Sequence, residues 1–290
     1  MYFGLDIGGT TLKAVAVDAS GRIIGRETLP AGGRVPRETL FAAAREAMAA
    51  VGGGRAPDHV GIAFGGLIQP DGTMRTDSTN LPNLAGLPLT QAFADILGVP
   101  CRIEHDGRAA MRGEAWTGAA RGIRNAMTVT LGTGIGAGLL LDGRILAGAH
   151  GGAGEIGVWH LVAPPEAGDW PTFEDVAAPA SLSRRAGREF GELFTAWRAG
   201  GGDAGSLDKV FGLIGQAIAN AHLILDLEMV VVIGGVTALG EPLRAAIDRA
   251  WLAACPADFR RDLTIRLGTL GAYAGAIGAA SLWCEEETRP

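Results

Sequence analysis

The sequence predicts an α/β protein with two α/β domains around a central cleft. Apolar strand segments and helix-period segments follow one another in the order βββαβα, and a similar order begins again near residue 126. Strands separated by helices in this way form layered sheets. A chain of 290 residues is long enough for two domains with separate cores. We expect the first domain at 1–108 and the second at 109–290, with the final helix, about 271–290, packing back on the first.

The first predicted domain opens with three strands joined by tight, glycine-containing turns, which is typical of an antiparallel meander. Its strands are short apolar runs: 2–7, 12–17, 23–28, 60–64 and 101–104. Apolar residues at helical spacing predict the helices: 36–51, 89–97 and one that begins near Asp106. These elements fit one layered α/β sheet.

The second half repeats the opening pattern of strands around a glycine turn. Its predicted strands are 126–131, 137–141, 144–146, 229–233 and a short one near Ile265. Its predicted helices are 181–199, 207–227, one from about Leu239, and a helix of small residues at 271–283. The two halves are therefore predicted to be rough structural repeats.

Composition and charge narrow the functional classes. The formal net charge is -6 and the isoelectric point is near 5.4, whereas binding to a phosphate backbone needs clustered Lys and Arg, so we expect no nucleic-acid partner. Charges or glycines interrupt every apolar window of about 18 residues, and no basic-then-apolar segment opens the chain, so we expect neither membrane insertion nor export. Cys101, Cys255 and Cys284 form no CxxC pair, which fits a cytoplasmic protein.

Two predicted hairpins contain glycine and hydroxyl residues that could bind phosphate. The segment DIGGTT at 6–11 joins the first two predicted strands, and TLGTGIG at 130–136 joins two strands of the second half. Glycine lets the backbone approach a phosphate, hydroxyls add donors, and Asp6 at a strand end can hold a hydrated Mg²⁺. Either hairpin alone could be a plain turn, but the duplication favours phosphate binding. The residues expected to contact phosphate are Gly8, Gly9, Thr10, Thr11, Thr133 and Gly134.

These motifs resemble the ROK family (repressors, open reading frames, kinases) of the hexokinase, Hsp70 and actin superfamily. Both hairpins resemble the family's phosphate motifs, and IGG at 233–235 resembles its adenosine-binding turn. EHD at 104–106 resembles the Glu-Asn-Asp stretch with the catalytic Asp, GEIG at 154–157 resembles the sugar-binding segment, and LGAYAGAIGAA at 270–280 resembles the family's ending. The resemblance implies an actin-like ATPase (ribonuclease H-like) fold.

The resemblance also implies a function and a set of site residues. It implies that ATP and Mg²⁺ serve as cofactors and that a hexose hydroxyl is phosphorylated, with glucose 6-phosphate as the first expected product and a homodimer as the assembly. N-acetylmannosamine and fructose remain alternative acceptors, and polyphosphate an alternative donor. Asp106 would be the catalytic base, and the N-terminus of a helix would favour its ionised form; alone, an Asp there would be read as a helix cap. The remaining residues would bind sugar or adenosine: Asn80, His105, Glu155, Glu174, Gly234 and Gly235.

The sequence departs from the family pattern at two places. Many members carry a zinc site built from a His three residues after the sugar-binding Glu and from a nearby cysteine cluster. Val158 occupies the His position here and 161–174 contains no cysteine, so we expect no zinc site. His105 stands where the family has Asn, and imidazole differs from an amide in shape and titration.

Other classes of protein fit the sequence less well. GAGEIG at 152–157 matches the Rossmann GxGxxG pattern, but no strand precedes it and Glu155 would face the pyrophosphate. Lys13 and Lys209 are not followed by Ser or Thr, which excludes a Walker motif. Because the first predicted strand begins at residue 2, we expect no helix-turn-helix ahead of it. A sugar-binding regulator without catalysis remains the alternative from another class.

Overall fold

The computed structural model describes residues 1–9, 11–31, 36–77, 83–161, 170–201, 204–260 and 262–284, and it contains ten strands and nine α-helices in that part of the chain. The strands are β1 (Tyr2–Ile7), β2 (Thr11–Val17), β3 (Ile23–Pro30), β4 (Val60–Phe64), β5 (Cys101–His105), β6 (Ala126–Leu131), β7 (Ile135–Leu141), β8 (Arg144–Ile145), β9 (Met229–Ile233) and β10 (Thr264–Leu267). The helices are α1 (Arg37–Val51), α2 (Leu89–Leu97), α3 (Asp106–Trp116), α4 (Phe173–Ala177), α5 (Pro179–Ala186), α6 (Phe190–Arg198), α7 (Ala204–Leu225), α8 (Glu241–Ala254) and α9 (Ala274–Ala280).

The chain folds into two compact units. Unit 1 comprises Met1–Gly122, Ile145–Ala153 and the chain from Ala272 onwards, and unit 2 comprises Ile123–Arg144 and Gly154–Gly271. The domain boundary expected at residue 108 falls inside α3, whose residues all belong to unit 1. None of the described helices is long and apolar enough to cross a membrane.

Each unit contains one five-stranded mixed sheet, and the two sheets have the same topology. The strand order is β3-β2-β1-β4-β5 in unit 1 and β8-β7-β6-β9-β10 in unit 2. The opening strands of each unit pair antiparallel, and β1-β4-β5 and β6-β9-β10 pair parallel. This confirms the predicted α/β fold and the predicted repeat.

Continuous apolar runs form the central strands of both sheets. All residues of β4 and β9 are buried, as expected for strands covered on both faces. The solvent-facing β3 alternates between half-buried and exposed positions along its length, which is typical of an edge strand. The core of unit 1 includes Phe3, Phe64 and Phe93, all almost fully buried.

Helix α9 packs against β1, β4 and α3 at very short range, and its residues are all buried. A Cβ on Gly278 would overlap the carbonyl oxygen of Ala109 in α3, and a Cβ on Gly61 in β4 would overlap the carbonyl oxygen of Ala279. Glycine at both positions lets the main chains of helix and sheet approach each other. The small residues of α9 therefore allow close packing of this helix within unit 1.

One predicted helix is wrong. The segment 181–199 was expected to be one helix, but it is divided between α5 and α6. Gly187 has a φ of 63° and its N–H donates to the carbonyl of Ser183, which ends α5 in a left-handed cap. Helix-period apolar residues on both sides of a glycine cap imitate one continuous helix.

Candidate active site

The carboxyl ends of three parallel strands meet at one edge of the unit 1 sheet. Asp6 lies next to the end of β1, Gly65 directly follows β4, and Asp106 directly follows β5. A Cβ on Gly65 would lie 3.3 Å from Asp106 Oδ2. In open α/β sheets, ligands bind at this edge, so the topology brings two predicted site residues to the position where a ligand is expected.

Asp6 is a largely buried carboxyl group, and Lys13 is a cationic neighbour of it. It pairs across the first hairpin with Lys13, whose Nζ lies 3.6 Å from Asp6 Oδ2. Burial raises the pKa of Asp6 to about 6, while Lys13 opposes the rise and the charge of Asp106 adds to it. A Cβ on Gly275 of α9 would lie 2.9 Å from Asp6 Cγ, so glycine is needed beside the carboxylate. A hydrated Mg²⁺ fits Asp6, because a cation would neutralise a carboxylate that burial disfavours.

Asp106 is an accessible hydrogen-bond acceptor at the start of α3, and 49% of its side chain is exposed. Its Oδ1 accepts a hydrogen bond from the N–H of Gly107 at 2.7 Å and lies 3.2 Å from His105 Nε2. The His105 side chain is only 10% exposed. A carboxylate in this setting can accept a proton from a ligand hydroxyl.

Sequence reasoning missed the charged residues that support Asp106. Glu104 Oε1 accepts hydrogen bonds from Arg108 Nε at 2.6 Å and from the N–H of His105 at 2.9 Å. The buried Arg108 also donates from Nη1 to the carbonyl of Gly151 at 2.7 Å. These bonds fix the junction between β5 and α3. The available signal was an acidic and a basic residue four apart across a predicted strand-to-helix junction.

The first glycine hairpin joins β1 to β2. The N–H of Gly8 donates to the carbonyl of Thr11 at 3.0 Å, and a Cβ on Gly8 would lie 3.3 Å from the same oxygen. Gly9 follows in the turn, whereas Thr10 lies outside the described residues. Gly8 and Gly9 carry no side chain, so the main chain at these two positions can approach a phosphate group.

The second glycine hairpin, in unit 2, joins β6 to β7. The N–H of Gly132 donates to the carbonyl of Gly134 at 3.1 Å, with Thr133 between them. Glu174 Oε2 accepts a hydrogen bond from the N–H of Ile135 at 3.2 Å, and a Cβ on Gly134 would lie 2.6 Å from that oxygen. A side chain thus supports the hairpin from one side, and a Cβ on Gly132 would meet no other atom of the described residues within 4 Å.

Glu174 belongs to α4, a short helix that the sequence analysis did not predict. Thr172 and Asp175 form a capping box at its start, in which each residue's side chain bonds the other's backbone N–H. A Cβ on Gly157 would lie 3.0 Å from Glu174 Oε2. The structure therefore places Glu174 against main chain near the hairpin, and its predicted contact with sugar hydroxyls stays a prediction.

The predicted adenosine turn lies beside this hairpin within unit 2. Gly234 directly follows β9 with a φ of 106°, a conformation that favours glycine, and a Cβ there would overlap the carbonyl oxygen of Leu131. Thr237 donates from its N–H and from Oγ1 to the carbonyl of Gly234, at 3.1 and 2.8 Å. Gly235 begins a short 3-10 helix. The parallel pairing of β6 with β9 brings the two glycine turns together.

The predicted sugar-binding residues are distributed over both units. Glu155 belongs to unit 2 and directly precedes a 3-10 helix, Ile156–Val158. Its segment is anchored to β7, because the N–H of Ala137 donates to the carbonyl of Gly154 at 3.0 Å. His105 belongs to unit 1, and Asn80 lies outside the described residues.

The region of the family's zinc site has a different composition here. Val158, at the position of the family's His, is 54% exposed. His160 Nδ1 lies 3.2 Å from the carbonyl of Pro171, and its ring packs edge-on against Trp170. Among the described residues, no three His, Cys, Asp or Glu side chains are grouped so that they could hold a metal ion.

Comparison with known proteins gives consistent matches. The model of the ROK family matches residues 2–286. A glucokinase of Halalkalibacterium halodurans is 29% identical over 319 residues, which cover 99% of this chain and 96% of the relative. An N-acetylmannosamine kinase of Yersinia pseudotuberculosis is 31% identical over 252 residues, covering 80% of this chain and 82% of the relative.

Solved structures give the same result. A ROK family glucokinase from Streptomyces griseus in complex with glucose and AMPPNP superposes with a TM-score of 0.84 at 26% identity, covering 97% of this chain and 98% of that chain. A ROK hexokinase from Thermus thermophilus gives 0.79 at 29% identity, covering 96% of each chain. The match over nearly the whole length, on two sheets of one topology, shows that the chain has the actin-like ATPase fold and belongs to the ROK family.

Proposed function

We propose that this protein is an ATP-dependent sugar kinase that transfers the γ-phosphate of ATP to a hexose hydroxyl. The observation that carries the proposal is the half-exposed Asp106 at the carboxyl edge of the unit 1 sheet, close enough to Asp6 for their charges to interact. Glucokinases and N-acetylmannosamine kinases are among its relatives, which supports a sugar as the acceptor.

In this proposal Asp106 is the catalytic base. It takes the proton of the acceptor hydroxyl as the hydroxyl oxygen bonds to the γ-phosphorus and the bond from that phosphorus to the β-γ bridging oxygen breaks, which releases ADP. Phosphoryl transfer passes through a loose transition state, so positioning and charge neutralisation matter more than base strength. An exposed carboxylate within reach of the acceptor hydroxyl is sufficient for this role.

The phosphate groups are assigned to backbone and hydroxyl donors. Gly8, Gly9, Thr10 and Thr11 of the first hairpin, and Thr133 and Gly134 of the second, would donate to phosphate oxygens, and Gly234 and Gly235 would face the adenosine. Bound Mg²⁺ would supply neutralisation of the triphosphate charge. Asp6 would hold that ion through water, which the burial of its carboxyl group supports.

The choice of sugar depends on residues whose roles come from the family resemblance. Glu155, Glu174, His105 and Asn80 would accept or donate hydrogen bonds to the sugar hydroxyls. Glucose is the proposed acceptor because glucokinases are among the relatives matched over nearly the whole chain. N-acetylmannosamine is the second candidate, since a kinase for that sugar is 31% identical.

A phosphorylation screen tests this proposal. Purified protein is assayed for sugar phosphate formation with glucose, fructose, mannose or N-acetylmannosamine, with ATP or polyphosphate as donor, and with or without excess EDTA. We expect sugar phosphate formation that requires Mg²⁺, with kcat/KM highest for glucose. A protein that binds glucose by calorimetry but forms no sugar phosphate with any of these sugars and either donor would instead be the non-catalytic regulator.

We also propose a homodimer, as the resemblance implies. An exposed apolar face on unit 2 supports it: Val158, Leu223 and Ile224 surround a shallow cavity of about 550 Å³, and Ile224 is 77% exposed. Ile224→Lys should convert a dimer to a monomer in sedimentation velocity. Ile24→Lys, at an exposed position of unit 1, is the matched control. A wild-type monomer at micromolar concentration would contradict the proposal.

A further inference from the structure

A buried arginine lies in the first turn of α3, where a cation is not expected. Arg108 is the third residue of this helix and is 4% exposed. The N-terminus of a helix carries a partial positive charge, which disfavours a cation, and a buried charge is costly unless a partner compensates it. Helix formation therefore gives no reason for an arginine at this position, so the reason has to lie in its contacts.

Arg108 bonds two segments that lie far apart in the chain. Its Nε donates to Glu104 Oε1 at 2.6 Å, and its Nη1 donates to the carbonyl of Gly151 at 2.7 Å. Glu104 Oε1 also accepts the N–H of His105 at 2.9 Å. The planar guanidinium group fixes the angle between its donors, so this one side chain sets the position of Gly151 relative to the end of β5.

The second partner, Gly151, belongs to the segment 145–153 of unit 1. Gly151 is buried, and a Cβ there would overlap the carbonyl oxygen of Ile68 in the chain that follows β4. Within the segment, the N–H of Ala153 donates to the carbonyl of Ala147 at 3.1 Å. The segment is therefore held between the chain that follows β4 and the start of α3.

The ion pair between Arg108 and Glu104 does not by itself explain this arrangement. Burying two charges costs desolvation free energy, and apolar side chains of similar volume often stabilise a protein as well or better. A role in stability alone would also need no second bond to a distant main-chain carbonyl. The bond to Gly151 indicates a geometric role.

We infer that Arg108 is a positioning residue for the sugar, which holds the segment 145–153 at the strand-to-helix junction that carries Asp106. The inference rests on the proposed kinase function. Glu155, a predicted sugar-binding residue, follows Gly151 by four residues, so a fixed Gly151 limits the positions that Glu155 can take. In this role Arg108 acts through the main chain and contacts neither sugar nor phosphate.

Two variants separate positioning from stability. Arg108→Met removes both donors and leaves the Glu104 carboxylate without this cation, so the melting temperature should fall. In the double variant Arg108→Met/Glu104→Gln, the side chain at 104 is neutral and its amide oxygen can still accept the N–H of His105, so most of that fall should be recovered. Sugar binding should not recover. The KM for glucose should be about tenfold or more above wild type in the double variant, with the KM for ATP within about threefold.

Amide hydrogen exchange gives a second readout, which does not require catalysis. In the double variant, the peptide that contains Ala153 should exchange about tenfold or more faster, whereas the amides of β4 should exchange near the wild-type rate. Glu104→Gln alone is the matched control, because it removes the charge and keeps Arg108 beside Gly151. It should change the exchange rate and the glucose KM less than the double variant does.

Arg108→Lys keeps the test decisive if the double variant does not fold. Lysine keeps a positive charge near Glu104, but its single ammonium group cannot reproduce the two directed bonds of the guanidinium. The melting temperature should stay closer to wild type than in Arg108→Met, and the glucose KM should still rise about three- to tenfold. A wild-type glucose KM in Arg108→Lys would contradict the inference.

The other outcomes are equally specific. Wild-type glucose KM in the folded double variant would overturn the role in sugar binding, whatever the exchange rates are. Equal rises in the KM for glucose and for ATP would indicate a general loss of structure and would also overturn it. If the wild-type protein phosphorylates no sugar, the proposed function fails, while the exchange rates still decide whether Arg108 holds the segment 145–153.

Discussion

The two units have sheets of one topology, but the strand ends carry different chemistry. In unit 1, charged side chains stand at the carboxyl ends of the strands: Asp6 at the end of β1 and Asp106 after β5. In unit 2, the corresponding edge carries glycine turns: 132–134 after β6 and Gly234 after β9. A carboxylate can hold a hydrated cation or accept a proton, whereas bare backbone can donate to phosphate oxygens. The shared topology creates the same sheet edge in both units, and the residues at that edge determine whether it can bind a cation, accept a proton or bind phosphate.

Glycines in helices of both units differ in whether packing requires them. In unit 1, α9 lies so near the sheet and α3 that glycine is required at several contacts. In unit 2, a Cβ on Gly215 of α7 would overlap the carbonyl oxygen of Ala250 in α8, whereas Gly212 of the same helix has open space around the position of a Cβ. Glycine therefore has a steric reason at Gly278 of α9 and none at Gly212 of α7.

The largest expected effect follows from this difference. Gly278→Ala in α9 should destabilise the protein by about 3 kcal/mol or more, because the methyl group would overlap the backbone of α3. Gly212→Ala in α7 is the matched control, and it should raise stability by up to about 1 kcal/mol through helix propensity. Urea unfolding of both variants measures the effect. Equal stability changes would show that α9 is not closely packed.

The charged edge of unit 1 should show opposite effects on stability and on activity. Burial raises the pKa of Asp6 from 3.8 to about 6, so the folded state loses stability as pH rises through that range. Without nucleotide or Mg²⁺, Asp6→Asn should be about 1–3 kcal/mol more stable than wild type at pH 8, and the gain should vanish below about pH 4. The charge of Lys13 partly offsets the destabilisation that comes from burying the ionised Asp6 carboxylate.

The same variant should lose about 100-fold or more in Mg²⁺-dependent turnover, because the amide cannot hold the hydrated ion as a carboxylate does. Chemical denaturation at pH 4 and pH 8, together with ADP release at saturating Mg²⁺, gives both quantities. A variant that is less stable than wild type at pH 8 would contradict the burial argument, and wild-type turnover would remove Asp6 from the metal site.

The backbone edge of unit 2 should show the smallest effects. A methyl group at Gly134 would displace Glu174 Oε2, a flexible side-chain end, from its bond to Ile135 N–H. Gly134→Ala and Glu174→Ala should each raise the KM for ATP about three- to tenfold, and the double variant should be little worse than either single one. Additive effects, or a change in sugar KM alone for Glu174→Ala, would favour the sugar contact expected from the sequence.

The sequence predicted most strands and both glycine hairpins because their signals are local. Apolar runs bounded by glycine identified β4, β6 and β9, and the predicted Met229–Ile233 strand agrees with the structure residue for residue. Lys13 could also have been found, because a hairpin of this length places it directly opposite Asp6. The small residues of the last helix indicated close packing, though not its partners.

The features that the sequence did not predict depend on contacts between residues that lie far apart in the chain. Nothing local indicates that Glu174 accepts the N–H of Ile135, or that Arg108 bonds the carbonyl of Gly151. The glycine cap inside 181–199 was hidden because apolar periodicity continues on both sides of Gly187. The orientation of His105 towards Asp106 needed the strand-to-helix junction itself, since adjacent residues at such a junction can point in many directions.

Asp106→Asn tests most directly whether a carboxylate at the edge of the unit 1 sheet accepts the sugar proton. Asn keeps the size of the side chain and ranks with Asp as a helix cap, so folding should change little, but an amide cannot accept the sugar proton. We predict that kcat falls by about two to four orders of magnitude while glucose and ATP affinities, measured by calorimetry on the same preparation, stay within about threefold of wild type. A folded variant that binds glucose and turns over near the wild-type rate would contradict the account.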